Sequence, residues 1–187
     1  MVAPVRICVA THDGHSERIG QHVCRRLTEH GVAAELHVLP SATLTPAVLA
    51  DSPMVAVIAA VRYGHHLPQA MEFLSRYNEI SPTPPLAFVS VNLTARKPNR
   101  QTAEDSPYVR KTIAKFKLRP VIACAIAGRL DYPRYGWFDR QIIRFIMALT
   151  GGPTDGVSTI EYTQWDRVDG FADAIAATLL SPGAPPR

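Results

Sequence analysis

Apolar and polar positions alternate in blocks along this chain, and the block lengths read as strand, helix, strand almost throughout. Residues 5–10 form a short apolar run. Residues 54–61 are nearly continuous in apolar side chains, as in a strand covered on both faces. Runs at residues 86–91 and 121–127 predict two more buried strands, and the weaker alternation over residues 32–39 predicts another. Between these runs the period changes. Ile19, Val23 and Leu27 recur at helical spacing over residues 16–30, with Ser16 expected as the N-cap and Gly31 as the stop. Residues 40–51 hold little more than a short helix. Ala70, Met71, Leu74 and Tyr77 stripe a helix that starts near Pro68. Val109, Ile113 and Phe116 stripe one that follows Ser106-Pro107. Val168, Phe171, Ala172, Ile175 and Leu179 share one face of a last helix over residues 166–180. Thr163 and Asp166 are expected to open it as a capping box.

Five short apolar strands separated by helices predict a doubly wound α/β fold: a parallel sheet with right-handed crossovers. Residues 1–180 are expected to form one domain, and the proline-rich residues 181–187 a loose tail. One stretch exceeds what such a fold needs. Residues 128–156 read as an insertion that interrupts the fifth strand, with residues 158–163 as that strand's second half. Within it, Trp137, Phe138, Ile142, Ile143, Phe145, Ile146, Met147 and Leu149 cover most of a helix. Two readings compete for it. The helix packs under the sheet as core, or it presents an apolar face to a membrane interface, with Arg140 and Arg144 near lipid phosphates.

Composition narrows the class. Of 187 residues, 47% are apolar and 19% charged, which excludes disorder over the whole chain. The longest apolar runs, residues 53–61 and 121–127, fall well short of the roughly 18 residues that cross a bilayer. The first ten residues enter a strand pattern directly, so no signal peptide is expected. Cys8, Cys24 and Cys124 lie far apart, which suits buried thiols in a reduced cytoplasmic protein. A net charge of +4 permits an anionic ligand or surface without calling for nucleic acid.

In an open parallel sheet, ligands bind beyond the C-terminal strand ends. Three loops leave such ends. Thr11-His-Asp-Gly-His-Ser16 offers hydroxyls at both ends, a glycine between them and a helix start, which together suit a phosphate. It lacks the lysine of a P-loop and the glycine triplet of a dinucleotide fold, and the plain alternative is an ordinary strand-to-helix turn. The second loop, residues 62–66, combines Arg62, Tyr63, Gly64, His65 and His66. Tyr63 can stack on a planar ligand, Gly64 allows close backbone approach, and either histidine can donate a hydrogen bond. The histidine pair has no further ligand at useful spacing, so no metal site is expected. The third loop runs from Asn92 to Asp105 and carries Arg96, Lys97 and Arg100. No GxSxG elbow or paired-carboxylate arrangement points to a hydrolase.

These residues carry a resemblance. Thr11-x-Asp13-Gly14-x-Ser16 resembles the loop of flavodoxins that wraps the phosphate of FMN. More specific strings are similar to the bacterial menaquinone-dependent protoporphyrinogen IX dehydrogenases. They are Arg62-Tyr63-Gly64-His65, Ser90-Val91-Asn92-Leu93-x-Ala95-Arg96-Lys97-Pro98 and Tyr132-Pro133-Arg134-Tyr135-x-Trp137-x-Asp139-Arg140. Ile146-Met147, Gly151-Gly152-x-Thr154-Asp155 and Tyr162-Thr163-x-Trp165 follow, so the likeness runs from about residue 5 to residue 178. His12 and His15 in the first loop, and the proline-rich tail, depart from that pattern.

The resemblance implies a flavodoxin-like fold with strand order 2-1-3-4-5 and non-covalent FMN. Thr11, His12, Asp13, Gly14, His15 and Ser16 would hold the phosphate. Val61, Arg62, Tyr63, Gly64, His65, Asn92, Leu93, Thr94 and Ala95 would flank the rest of the cofactor. The implied reaction oxidises protoporphyrinogen IX to protoporphyrin IX in haem synthesis and passes electrons through FMN to menaquinone or another quinone. The implied location is cytoplasmic, peripheral to the inner face of the cell membrane, with the insertion meeting an anionic membrane surface. A large flat substrate bearing carboxylates would lie against the exposed flavin edge. Arg96, Lys97, Arg100, Arg134 and Arg140 could meet its propionates, while Tyr132, Tyr135 and Trp137 could cover the ring. For any one of these cations a solvated face is the plain alternative, and no catalytic residue is assigned. Competing readings are an FMN quinone reductase fed by NAD(P)H, a flavodoxin-type electron carrier, and a chain that keeps the fold without flavin. The basic charge argues against the carrier. Oligomeric state stays open, a homo-oligomer being compatible.

Overall fold

A computed structural model describes residues 3–134, 136–151, 154–157 and 159–181. Five parallel strands form the central sheet: β1 (Val5–Ala10), β2 (Ala34–Val38), β3 (Val55–Arg62), β5 (Leu86–Asn92) and β6 (Ile122–Ala127). Their spatial order is β2-β1-β3-β5-β6, which is 2-1-3-4-5 when only these strands are counted. The reversal of direction falls between β1 and β3, the crevice where such sheets take ligands. The inner strands are mostly apolar because helices cover both faces, whereas the edge strand β2 carries Glu35 and His37 and is only partly buried. Val5, Ile7 and Val9 of β1 face α1 (His15–Glu29) and α6 (Trp165–Leu180). Cys8 and Ala10 face the opposite layer of α2 (Pro46–Ala50), α3 (Pro68–Ser75) and α4 (Pro107–Phe116).

Helix α1 is held on the sheet by close approach. Gly20 lies so near β1 and β2 that a Cβ there would sit 2.7 Å from Val9 Cγ2 and 2.7 Å from Leu36 Cδ1. Along its outer edge α1 faces α6 through His22–Asp169 at 2.6 Å and Arg26–Asp173 at 2.7 Å, while Arg18 pairs at 2.9 Å with Glu161, ahead of that helix. The four-residue spacing of these α1 side chains puts them on one face of the helix.

Two caps differ from the sequence expectation. Gly14, in the left-handed region at φ 83°, caps α1, and Ser16 lies inside the first turn. Gln164 precedes α6, and the Thr163 hydroxyl is engaged with distant partners, donating to the Ala127 carbonyl at 2.8 Å and lying 2.8 Å from His15 Nε2. Both hydroxyl residues were good local caps, but each sits where the tertiary fold makes other demands. Residues 62–66 are a tight hairpin rather than a loop. Arg62 pairs with His65 in β4 (His65–His66), and Tyr63 and Gly64 turn the chain at φ 51° and 80°. Positive φ at both positions is the signature of a turn whose twist matches the strands, and it is unusual for a tyrosine. The polar stretch after β5 is also organised, into short 3-10 turns at Leu93–Arg96 and Pro98–Arg100.

The expected second half of the fifth strand does not rejoin the parallel sheet. β7 (Arg129–Asp131) follows β6 directly, and β8 (Thr159–Glu161) returns antiparallel to it. Between them lies α5 (Trp137–Thr150). Leu130, Tyr132, Ile143 and Met147 bury one another against Leu93 and Tyr162, forming a small core of their own. Tyr132 is therefore inside, and it cannot cover a ring arriving from solvent. On the other side of α5, Trp137 is 67% exposed, Phe145 66% and Ile142 45%. One face of this helix is thus core, and the opposite face is exposed. Arg144 donates from Nε to the Thr154 carbonyl at 2.7 Å, and the stems of Arg140 and Arg144 pack on Gly156.

Candidate functional site

A cleft opens at the C-terminal ends of β1, β3, β5 and β6. Its first wall is the turn from β1 into α1. Thr11 Oγ1 accepts from the Gly14 N–H at 3.1 Å, and an Asp13 carboxylate oxygen accepts from the His15 N–H at 3.1 Å. These bonds curl the turn around the start of α1, where the first-turn N–H groups have no partner inside the helix. The left-handed Gly14 leaves its surroundings open, with nothing within 4 Å of where a Cβ would stand. A concave run of N–H groups at the positive end of a helix fits a phosphate.

The second wall is the β3–β4 hairpin. The Arg62 guanidinium lies over the Tyr63 ring at 4.9 Å and donates to the Tyr63 hydroxyl at 3.0 Å. Tyr63 remains 38% exposed, so a ring face is available at the cleft edge. His65 points outward, and His66 turns inside. The third wall is the Asn92 turn. Asn92 Oδ1 accepts from the Ala95 N–H at 3.0 Å and from the Thr94 hydroxyl at 2.6 Å. Its amide nitrogen donates to Ser90 Oγ at 3.0 Å. Every polar atom of that side chain is engaged, so the turn is stiff.

Of the residues expected at this site, His12, Asp13, His15, Ser16, Val61, Arg62, Tyr63, Gly64, Asn92, Leu93 and Thr94 line the cleft together. Thr11, Gly14 and Ala95 shape its turns without lining it. Arg96 sits above the Tyr162 ring at 5.8 Å and donates to the Leu93 carbonyl at 2.8 Å. Lys97 and Arg100 are exposed. Tyr135 lies outside the described residues, as does the side chain of Arg134. The structure adds Tyr108 from the first turn of α4, Gly128 and Arg129 beyond β6, and Ile143 from α5. Gly128 and Arg129 leave the end of a parallel strand, and the same rule that picked out the other three loops applies to them. Ile143 had no local signal.

The chain belongs to the flavodoxin-domain family, which matches residues 6–156. Among curated proteins it is similar to the protoporphyrinogen IX dehydrogenase (quinone) of Escherichia coli (strain K12). That relative is 36% identical over 176 residues, covering 94% of this chain and 96% of its own. The protein of the same name from Leishmania major is 38% identical over 178 residues, covering 95% of this chain and 76% of the relative. Among solved structures, the rubredoxin oxygen:oxidoreductase of Desulfovibrio gigas superposes with a TM-score of 0.56 at 11% identity, over 95% of this chain and 36% of that one. This last likeness concerns the fold alone.

Proposed function

We propose that this chain oxidises protoporphyrinogen IX to protoporphyrin IX, with FMN held in the cleft and electrons delivered to a quinone. The observation that carries the reading is the coupling of two features in one site. The phosphate-type turn and the two stiff ring-flanking turns suit a flavin nucleotide, and the insertion supplies part of the same wall through Ile143. Residues 11–16 hold the phosphate, while residues 61–65 and 92–95 flank the ribityl chain and ring. FMN held by these residues would supply the electron-transfer chemistry between substrate and acceptor. The protein's own part is to seat the ring, shield one side of it, and leave an edge open to a macrocycle too large to enter a small domain.

The substrate is anionic through its propionates. We assign Arg96 and Lys97, which follow the Asn92 turn, and Arg134, which follows β7, to those carboxylates. Trp137, at the start of the insertion helix, and Tyr135, two residues earlier in the sequence, are assigned to the macrocycle's face. Among the described residues no helix is long and apolar enough to cross a membrane. The exposed row Trp137, Ile142 and Phe145 instead suits shallow contact with a lipid surface, where a lipid-dissolved acceptor such as menaquinone resides. The protein then works as a peripheral protein of the inner membrane face, its +4 charge favouring anionic lipid.

The test is an anaerobic assay with purified protein, protoporphyrinogen IX and a quinone, read as porphyrin fluorescence. Fluorescence should rise only when quinone is present, and NAD(P)H should make no difference. Rapid flavin reduction by NAD(P)H with none by protoporphyrinogen IX would replace this reading with a general quinone reductase.

A further inference from the structure

The charge of this chain is concentrated in one stretch. Residues 106–130 carry Arg110, Lys111, Lys115, Lys117, Arg119 and Arg129 and no acidic residue, so they alone outweigh the net +4 of the whole chain. Two of these cations, Lys117 and Arg119, follow the C-terminal end of α4. Arg6, Arg18, Arg26 and Arg129 each pair with a carboxylate, and among the described residues Lys117 and Arg119 pair with none. Lys117 ends the helix in the left-handed region, at φ 52°, where glycine is the usual residue. Leu118 between the two cations is buried, which holds both on the outward side of the segment.

Both cations stand over a cavity of about 530 Å³ at the N-terminal ends of β5 and β6, the end of the sheet opposite the cleft. That volume lies in the range of roughly 300–1,000 Å³ that holds small ligands. The floor is apolar. Tyr77, Pro84 and Leu86 are buried there, and Pro85 and Val121 lie open beside them, Val121 at 56% exposure. The neutral donors around it are spent inside the protein. The Tyr77 hydroxyl donates to the Pro84 carbonyl at 3.1 Å, the Thr83 hydroxyl to the Ile80 carbonyl at 2.7 Å, and the Asn78 amide nitrogen to the Phe116 carbonyl at 2.9 Å. A ligand there meets two cations and an apolar floor, with no acid among the described lining residues.

That combination selects its occupant. A lone phosphate or acetate would leave the floor uncovered. A flat bilayer cannot enter a concavity. An extended acidic peptide finds no strand edge to pair with at Pro84 and Pro85, which lack N–H groups. What fits is a compact apolar body bearing two carboxylates, the chemistry of a tetrapyrrole with paired propionates.

We infer that this cavity is a second tetrapyrrole site, in which Lys117 and Arg119 take two propionates and the macrocycle covers Pro85 and Val121. The choice of a tetrapyrrole among apolar dicarboxylates rests on the proposed reaction. The site lies apart from the cleft and takes no part in the chemistry.

The test titrates deuteroporphyrin IX into the FMN-loaded full chain and follows the porphyrin absorbance. This porphyrin is already oxidised, so binding is read without turnover. Lys117→Met with Arg119→Met should weaken one binding event about tenfold or more, since two charge-assisted contacts are lost. The dimethyl ester of the porphyrin should lose the same event in wild type. Val121→Glu, which sets a like charge on the floor, should weaken it too. Lys111→Met with Lys115→Met removes equal charge from the same helix outside the cavity, and should change affinity by less than about twofold. Unchanged FMN affinity reports that the variants are folded. No porphyrin binding, binding indifferent to the changes at 117 and 119, equal loss in the control pair, or equal binding of diacid and ester would each overturn the site. Displacement of the porphyrin by a hexaglutamate peptide at matched ionic strength would make the occupant an acidic protein segment instead. The two readings fail separately. Porphyrin binding that depends on Lys117 and Arg119, with no turnover in the anaerobic assay, would keep the cavity and remove the reaction. Turnover with binding indifferent to both would do the reverse.

Discussion

His66 Nε2 lies 2.9 Å from Ser90 Oγ, so the residue that closes the cleft hairpin is bonded to the middle of the neighbouring strand inside the protein. The contact is one link of a buried polar chain. His66 Nδ1 meets Thr112 Oγ1 at 3.1 Å, and the Asn92 amide donates to Ser90 Oγ at 3.0 Å. One proton arrangement satisfies all three contacts. Asn92 donates to Ser90, Ser90 donates to His66 Nε2, and His66 Nδ1–H donates to Thr112. Two walls of the cleft are thereby tied together beneath the place where a ligand would sit.

His66→Phe is expected to destabilise the fold by about 2 kcal/mol, because Ser90 and Thr112 would each lose a buried partner. Equilibrium urea unfolding measures it. Ser90→Ala combined with His66→Phe should cost less than the sum of the two single changes, since both remove the same bond. Strict additivity would mean that the 2.9 Å contact contributes nothing.

The same histidine sets an acid limit. Burial lowers its pKa to about 4, against an unfolded value near 6.5. Between those values the unfolded chain holds a proton that the folded chain refuses. Stability is therefore complete above about pH 6.5 and falls as the pH drops toward 4, by about 3 kcal/mol in all. Burial lowers His15 and His37 in the same direction. Asp173, held near 2 by its bonds to Arg26 and His30, weakens only below this window. Urea midpoints taken from pH 7 to pH 4 should slope downward in wild type and clearly less in His66→Phe.

Gly20→Ala tests the seat of α1. Alanine gains up to about 1 kcal/mol of helix propensity over glycine. Its methyl would meet Leu36 Cδ1 and Val9 Cγ2, each at 2.7 Å. Leu36 is half-buried and can swing aside, but Val9 is β-branched and fully buried. Net destabilisation of about 1–3 kcal/mol is expected, together with weaker FMN binding as the phosphate turn shifts with its helix. A thermal melt and a flavin titration report the two effects separately.

The outer face of the insertion helix predicts a lipid effect without a cofactor effect. Ile142→Ser with Phe145→Ser should reduce co-sedimentation with anionic vesicles about tenfold or more, as two apolar side chains lose their burial in lipid. FMN affinity should stay within about twofold, because neither residue lines the cleft. Vesicle binding that survives the double change would move the membrane contact elsewhere.

Some of this protein could be read from residues in order. Five strands and the main helices follow from local periodicity, because an element covered on one face or both writes its burial into consecutive residues. The tertiary structure decided everything that depends on distant partners. Ser16 and Thr163 look like caps locally, yet Ser16 lies within the first turn and Thr163 bonds to Ala127 and His15. Tyr132 looks like an exposed aromatic of the insertion and is buried against Met147. Arg129 and Ile143 reach the cleft only because β7 and α5 fold back over the end of the sheet. Hydrophobic period fixes which face of an element is buried. It carries no information about which loop, many residues away, will supply the hydrogen bond or the wall.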